Sequence, residues 1–202
     1  MCKDEGYIKF SLELIKTALP IDVSLYEINK VREKLYNLGL IGAYSNGIGY
    51  GNISIRYGST IKNQFVITGS ATGNKDILYS KDYCVVTDFD IFKNKVVCEG
   101  AIKASSESMT HGAIYQVDAN VVAVIHIHSR KLFDFMLKGN HPQTPKSAKF
   151  GTPDLAIAIA KLVKNSKKSS GIFVTAGHDE GIIAYGTTIQ EALNLIVQQI
   201  NF

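Results

Sequence analysis

The chain has 202 residues, a net charge of +4 and 46% hydrophobic residues, which suits one globular domain over residues 1–202 with a full hydrophobic core. Its scattered lysines lack the dense, one-sided charge and interleaved aromatic residues of a nucleic-acid-binding surface. No apolar run reaches the ~18 residues that span a bilayer and no secretory signal is evident, so we expect a cytoplasmic protein without a membrane partner.

The N-terminal part of the chain is predicted to form two helices. Residues 7–19 carry apolar side chains at helical spacing and are followed by Pro20, which indicates a first helix. Ser24 and Glu27 have the spacing of a capping box, which predicts the start of a second helix. Gly39 would end that helix, because glycine readily adopts the left-handed conformation that follows a helix C-terminus.

The rest of the chain alternates between predicted strands and helices. The strands are expected at Asn52–Tyr57, Gln64–Thr68, Tyr83–Thr87, Lys95–Cys98, Val121–His128, Gly171–Thr175 and Gly181–Tyr185. The helices are expected at about Ser105–Val117, at Arg130–Lys138, from Thr152 to about Val163, and after a second capping box at Thr188–Glu191. This order predicts an α/β fold of the α+β type, in which helices flank a mainly antiparallel central sheet.

Two histidines and a serine-rich segment carry the chemistry. His126 and His128 are two residues apart, so on a strand both side chains project from the same face of the sheet. Such a pair can ligate a metal, although two hydrogen-bonded histidines are the commoner explanation. Upstream, Ser105, Ser106 and Glu107 place hydroxyls and a carboxylate at a predicted helix start, where free backbone N–H groups can bind an anion.

Glu107 has two interpretations from the residues alone. Beside a cation, a carboxylate can move a proton as a general acid/base. An acidic residue in the first turn of a helix is also favoured by the helix macrodipole without any catalytic role. His111 lies one turn further along the same helix face, where it could support this carboxylate or serve as a core histidine.

Five segments in order resemble the class II aldolase/adducin family, which includes fuculose-1-phosphate aldolase and ribulose-5-phosphate 4-epimerase. The segments are Gly51–Ser54, Thr68–Gly73, Ser105–Glu107 with His111, His126–His128 and Gly177–Ala192. The resemblance extends over roughly residues 24–195. It implies the three-layer sandwich of that family as the fold.

The same resemblance implies a divalent metal ion held by His126, His128 and His178. The ion would be zinc or another transition metal such as manganese, cobalt or iron, and three histidines would leave one coordination position open for substrate or water. Glu107 would be the general acid/base; glutamate at this position is implied for aldolases and dehydratases, whereas the epimerase carries aspartate. The residues implied for phosphate binding are Asn52, Ser70, Thr72, Gly73, Ser105 and Ser106.

The function that the resemblance implies is a metal-dependent lyase that cleaves a small phosphorylated ketose through a metal-stabilised enediolate. Dehydration of a sugar phosphate or decarboxylation of a keto acid could use the same site. A non-catalytic, adducin-like interaction domain is a third hypothesis, from a different class of protein. The resemblance further implies a homotetramer with its active sites at subunit interfaces.

Two features depart from the family pattern. No tyrosine occurs between Tyr115 and Tyr185, whereas fuculose-1-phosphate aldolase has a tyrosine in that stretch that reaches a neighbouring subunit's site. In the predicted polar loop, Thr68–Ser70 matches the start of the family's phosphate loop, but Thr72–Gly73 fits better when counted back from Asp82. A two-residue insertion would reconcile the two alignments.

Overall fold

The framework is built from alternating strands and helices, and the computed structural model describes residues 6–58 and 63–200. The strands are β1 (Ser11–Lys16), β2 (Gly42–Ala43), β3 (Gly49–Tyr50), β4 (Asn52–Arg56), β5 (Phe65–Thr68), β6 (Tyr83–Asp90), β7 (Lys95–Gly100), β8 (Ala123–His128), β9 (Gly171–Val174) and β10 (Gly181–Gly186). The helices are α1 (Tyr26–Asn37), α2 (Ser108–Val117), α3 (Arg130–Lys138), α4 (Pro153–Ser166) and α5 (Ile189–Ile200).

Eight of these strands form one sheet, in the order β1-β7-β6-β5-β4-β8-β10-β9, while β2 and β3 form a separate hairpin. The edge strand β1 runs parallel to β7, and every other neighbouring pair in the large sheet is antiparallel. The sheet is therefore mixed. This corrects the expectation of a mainly antiparallel sheet at one edge, where the structure adds a parallel strand that the sequence did not predict.

The parallel strand arises where the sequence predicted a first helix, over residues 7–19, and that prediction is wrong. Within Ser11–Lys16, the half-buried Leu12 and Leu14 alternate with exposed neighbours, as expected of a strand with one face on the core. The helical spacing was that of Ile8, Leu12, Ile15 and Leu19, but the side chain of Ile15 is 45% exposed. The open edge of β7 offers this segment backbone partners, and that tertiary pairing overrides the helical spacing.

Helices cover both faces of the sheet, and the sheet separates the core into two hydrophobic clusters. One cluster lies under α2 and α4, and the other under α1, α3 and α5, so the architecture is an α/β sandwich of three layers. Strand β8 contributes to both clusters, with Val124 in the first and Ile125 and Ile127 in the second. Because side chains alternate along a strand, His126 and His128 project with Val124 towards the α2 side.

Local capping explains several helix boundaries. The Thr152 hydroxyl accepts a hydrogen bond from the Leu155 N–H at 3.4 Å, which confirms the predicted start of α4. Gly39 has a φ of +68° and follows Leu38, the residue that caps the C-terminus of α1, as predicted for the end of this helix. The capping box at Ser24 is not formed, since Leu25 occupies the cap position and no side chain caps this helix. Within the described ranges, no helix is long and apolar enough to cross a bilayer.

Candidate metal and anion site

Three histidines meet at one end of the sheet. His126 and His128 lie on β8, and His178 lies in the turn between β9 and β10. All three side chains are buried, and the Nε2 atoms of His126 and His128 are 2.9 Å apart. One ring nitrogen from each of the three lies within 4.8 Å of the others. This cluster could hold a metal ion, because imidazole nitrogens are preferred ligands of divalent transition metals.

The turn that carries His178 is shaped by a glycine. His178 N–H donates to the Thr175 carbonyl at 2.7 Å, and Gly181 N–H donates to the His178 carbonyl at 3.0 Å. Gly181 also pairs with His128 across the two strands. A Cβ at Gly181 would lie 2.4 Å from Thr175 Oγ1 and 3.1 Å from both His126 Cε1 and His178 Nδ1. The absence of a side chain therefore lets the histidines approach one another.

The environment keeps two of these imidazoles neutral. Burial lowers the pKa of His126 and of His128 well below the ordinary value, and the neighbouring imidazoles add to the effect. The ring of Phe150 packs against His178 with centroids 4.6 Å apart, which adds an apolar wall. Metals bind the neutral imidazole, so the donor set suits a divalent ion at neutral pH.

Glu107 lies beside this cluster, at the start of α2. Its carboxylate is 1% exposed, and Oε1 is 3.5 Å from His178 Nδ1. The helix begins at Ser108, later than predicted, because Ser105 and its neighbours form a turn in which the Ser105 carbonyl accepts from both the N–H and the hydroxyl of Ser108. A helix macrodipole accounts for an acidic residue here, but it does not account for burial against a histidine.

A cavity of about 260 Å³ includes in its wall Asn52, which pairs with His126 across β4 and β8, and Ser106, which precedes Glu107 in the chain. Its walls include every residue that the resemblance implied for phosphate binding, namely Asn52, Ser70, Thr72, Gly73, Ser105 and Ser106. No charged side chain lines it among the described residues, so its polar groups are hydroxyls, an amide and backbone groups. The buried Oδ1 of Asn52 has no hydrogen-bond partner within the part of the chain that the structure describes. Such a wall suits a ligand that carries both an anion and hydroxyl donors.

The two alignments of the polar loop with the family pattern select Ser70 or Thr72–Gly73, and all three residues lie in the wall of the cavity. The loop folds back on itself, because the Thr72 hydroxyl donates to the Gly69 carbonyl at 2.8 Å. Ser70 and the Thr72–Gly73 pair therefore line the cavity together. Gly73 is packed against the β2–β3 hairpin so tightly that a Cβ would lie 2.2 Å from the Gly42 carbonyl oxygen.

A buried arginine holds this loop, and no sequence pattern indicated it. Arg32 on α1 is 2% exposed, and its guanidinium donates to the carbonyls of Asp76 at 2.9 Å, Thr72 at 3.1 Å and Gly73 at 3.4 Å, and also to that of Lys75. Charged residues beside an apolar helical stripe usually face solvent. Arg32 points inwards because the loop lies over α1 and offers its backbone carbonyls to the guanidinium.

Two further polar contacts surround the histidines. The Tyr44 hydroxyl lies 2.8 Å from His128 Nδ1, a contact that the spacing of residues along the chain could not reveal. His111 does not bond the Glu107 side chain; its Nδ1 lies 2.7 Å from the Ser54 hydroxyl, within the core. Burial lowers the pKa of His111 to about 3, so it is a neutral core histidine.

Solved structures of aldolases resemble this fold. An L-fuculose 1-phosphate aldolase is 24% identical with a TM-score of 0.63, over 91% of this chain and 84% of that chain. The L-fuculose-1-phosphate aldolase of Thermus thermophilus is 23% identical with a TM-score of 0.58, over 86% and 87%. YgbL of Klebsiella pneumoniae, "a putative aldolase/epimerase/decarboxylase", is 19% identical with a TM-score of 0.61, over 86% and 83%. At these identities the likeness establishes the fold.

The sequence itself decides the family. No protein of curated function matches the chain. The sequence pattern of the "Class II Aldolase and Adducin N-terminal domain" matches residues 31–199, which is most of the chain. The three clustered histidines, Glu107 and the residues implied for phosphate binding all lie within that match. The chain therefore belongs to the class II aldolase and adducin N-terminal domain family.

Proposed function

We propose that the protein is a divalent-metal-dependent lyase that cleaves a carbon–carbon bond in a small phosphorylated ketose. The observation that carries the proposal is the burial of Glu107 beside three converging imidazoles, one residue along the chain from Ser106 in the cavity wall. A structural cluster would not need a buried carboxylate there, whereas a proton transfer next to a metal does.

The metal would be held by His126, His128 and His178, and a set of three imidazole ligands suits zinc, manganese, cobalt or iron. When bound, such an ion supplies a Lewis acid that polarises the substrate carbonyl. Membership of the class II aldolase family and the buried histidines support this assignment.

The side chains around the cavity would bind and orient the phosphate. Asn52 can donate from its amide nitrogen, and the hydroxyls of Ser70, Ser105 and Ser106 can donate as well. The Thr72 hydroxyl already donates to the Gly69 carbonyl, so Thr72 and Gly73 would contribute the backbone of the loop to this wall. The start of α2, directly after Ser105, Ser106 and Glu107, adds the positive end of a helix dipole. Because no cationic side chain lines the described cavity wall, these neutral donors would carry the recognition of the anion.

Glu107 would move the proton. In the cleavage direction, its carboxylate takes the proton of the hydroxyl next to the breaking bond, and that carbon becomes an aldehyde. The electron pair of the broken bond passes to the fragment that bears the carbonyl group, and Glu107 then returns its proton to that fragment to complete the ketone product. Burial of Glu107 keeps water away from this exchange.

The test is product analysis with purified, metal-loaded protein and a panel of phosphorylated ketoses. Cleavage gives two carbonyl fragments, dehydration gives one product that has lost water, and decarboxylation of a keto acid releases carbon dioxide. Metal content is measured in parallel, with His126→Ala as the comparison. Negligible metal in both proteins and no turnover would reject the enzyme and favour an interaction domain.

We also propose a cytoplasmic homotetramer with active sites at subunit interfaces, and family membership supports this assembly. Since the chain has no tyrosine between Tyr115 and Tyr185, a different residue would have to reach the neighbouring site. Light scattering after size-exclusion chromatography measures the assembly directly. A monomer at the protein concentrations of the activity assay would reject it.

A further inference from the structure

The two ring nitrogens of His128 have different neighbours. Nε2 lies 2.9 Å from His126 Nε2, within the histidine cluster, and Nδ1 lies 2.8 Å from the Tyr44 hydroxyl. We propose that Tyr44, anchored by Glu180, is a positioning residue that places the proton of His128 on Nδ1, so that the lone pair of Nε2 can serve as a metal ligand. The metal part of this inference rests on the proposed function, whereas the proton position does not.

His128, Tyr44 and Glu180 form a series of hydrogen bonds, and Glu180 determines the direction of each bond in it. The Tyr44 hydroxyl is 3.0 Å from Glu180 Oε2. An ionised carboxylate can only accept, so the hydroxyl donates its one proton to Glu180. Its oxygen then accepts from His128, and that bond requires the proton to be on Nδ1. A neutral imidazole carries one proton, and Nε2 is therefore left with its lone pair facing the cluster.

Glu180 is itself fixed in place. Arg130 donates from Nε to Glu180 Oε1 at 3.3 Å, so the carboxylate is held from its other oxygen. The Glu180 carbonyl accepts from the Ser129 N–H at 3.1 Å, at the start of α3. Its φ of +65° is unusual for a residue with a side chain, so the surrounding turn must hold it there.

One turn thus serves two of the histidines. His178 is a candidate ligand in that turn, and Glu180, two residues later, anchors the tyrosine that supports His128. Hydrogen-bonded partners of this kind fix the tautomer and ring orientation of metal-binding histidines. We therefore expect the loss of the Tyr44 hydroxyl to weaken metal binding without removing a ligand.

Tyr50 provides a matched control. It lies in the same hairpin, and its ring centroid is 4.7 Å from that of Tyr44 and 5.6 Å from that of His128. Its hydroxyl, however, donates to the Gly39 carbonyl at 3.2 Å. Tyr44→Phe and Tyr50→Phe remove the same group from neighbouring rings, and only the first removes the partner of Nδ1.

The first experiment measures the proton position in the metal-free protein by long-range ¹H–¹⁵N correlation spectroscopy. His128 should carry its proton on Nδ1 in the wild type and in Tyr50→Phe. Tyr44→Phe should shift it towards Nε2 or give a mixture. An unchanged Nδ1–H form in Tyr44→Phe would overturn the inference, whatever the protein binds.

The second experiment measures zinc affinity by competition with a chromophoric chelator. Tyr44→Phe should bind zinc about 10- to 100-fold more weakly than the wild type, while Tyr50→Phe should not change. Glu180→Gln keeps a hydrogen-bond acceptor but loses the charge, so we expect a smaller loss of zinc affinity. If Tyr44→Phe does not fold, this variant still tests the role of the Glu180–Tyr44 hydrogen bond. Wild-type affinity in both Tyr44→Phe and Glu180→Gln would overturn this inference alone. Failure of the wild type to bind zinc would instead reject the proposed metal site.

Discussion

The carboxylate of Glu107 lies 3.5 Å from the ring of His178, measured from Oε1 to Nδ1, and both side chains are buried. The two residues come from different parts of the fold, the start of α2 and the turn between β9 and β10. Their contact joins the candidate proton-transfer group to the candidate metal ligands. Substitution of Glu107 can separate the two roles, proton transfer and metal binding.

Glu107→Gln should abolish most of the activity and retain the metal. The amide has nearly the same shape but cannot take a proton, so we expect kcat to fall by about 10²- to 10⁴-fold on a substrate found in the panel. Zinc content is measured on the same preparation. Glu33→Gln changes an exposed glutamate on α1 and is the matched control. Turnover by Glu107→Gln equal to that of Glu33→Gln would exclude the proton-transfer role.

Arg32→Met should loosen the polar loop that carries Thr72 and Gly73. The substitution removes the guanidinium donor from the buried carbonyl groups of Thr72 and Gly73, and each such loss can cost about 1–3 kcal/mol of folding free energy. We expect weaker binding of inorganic phosphate, measured by calorimetry, with zinc content unchanged. Lys34→Met on the exposed side of the same helix should leave phosphate binding as it is. A phosphate affinity unaffected by Arg32→Met would contradict the role of this arginine.

Gly181→Ala should disturb the histidine cluster. Its Cβ would contact Thr175 Oγ1, His126 and His178 at once, and overpacking of this kind costs about 1–3 kcal/mol. We expect a lower free energy of unfolding and weaker zinc binding. Adding Thr175→Ala removes the shortest contact, so the double variant should recover part of the stability but not the zinc affinity. Full zinc affinity in Gly181→Ala would show that the histidines tolerate the crowding.

His111 should make folding stability depend on pH. Its pKa is lowered to about 3 in the folded state, whereas an imidazole in an unfolded chain titrates near ~6.5. Between these two pKa values the unfolded state binds a proton that the folded state does not. The contribution of His111 to the free energy of unfolding is therefore fully present above the upper pKa and is lost as the pH falls towards the lower one. The slope contributed by one such group is at most ~1.4 kcal/mol per pH unit.

Urea denaturation at several pH values between these limits measures that slope. His111→Gln should show a shallower loss of stability on acidification than the wild type. The buried His126 and His128 have pKa values shifted in the same direction, so some pH dependence should remain. Identical slopes in the wild type and His111→Gln would show that His111 does not contribute.

Local patterns were sufficient for most helices and for the strand that carries the histidine pair. Helix α3 spans Arg130–Lys138 as predicted, because its apolar residues repeat at helical spacing and Ser129 caps it. His126 and His128 share a face of β8 because any strand alternates its side chains. The prediction for residues 7–19 was wrong, because Ser11–Lys16 pairs as a strand with the edge of β7. The helical spacing of the apolar residues in this segment did not determine its secondary structure.

The sequence by itself therefore determined the family, most of the elements and the residue types available for chemistry. Only the tertiary structure decided which of them meet: His178 and Glu107 reach the histidine pair, Arg32 turns inwards to the loop, and Tyr44 finds His128. The physical reason is that spacing along a chain governs local geometry, whereas contacts between distant segments depend on how strands pair and layers pack.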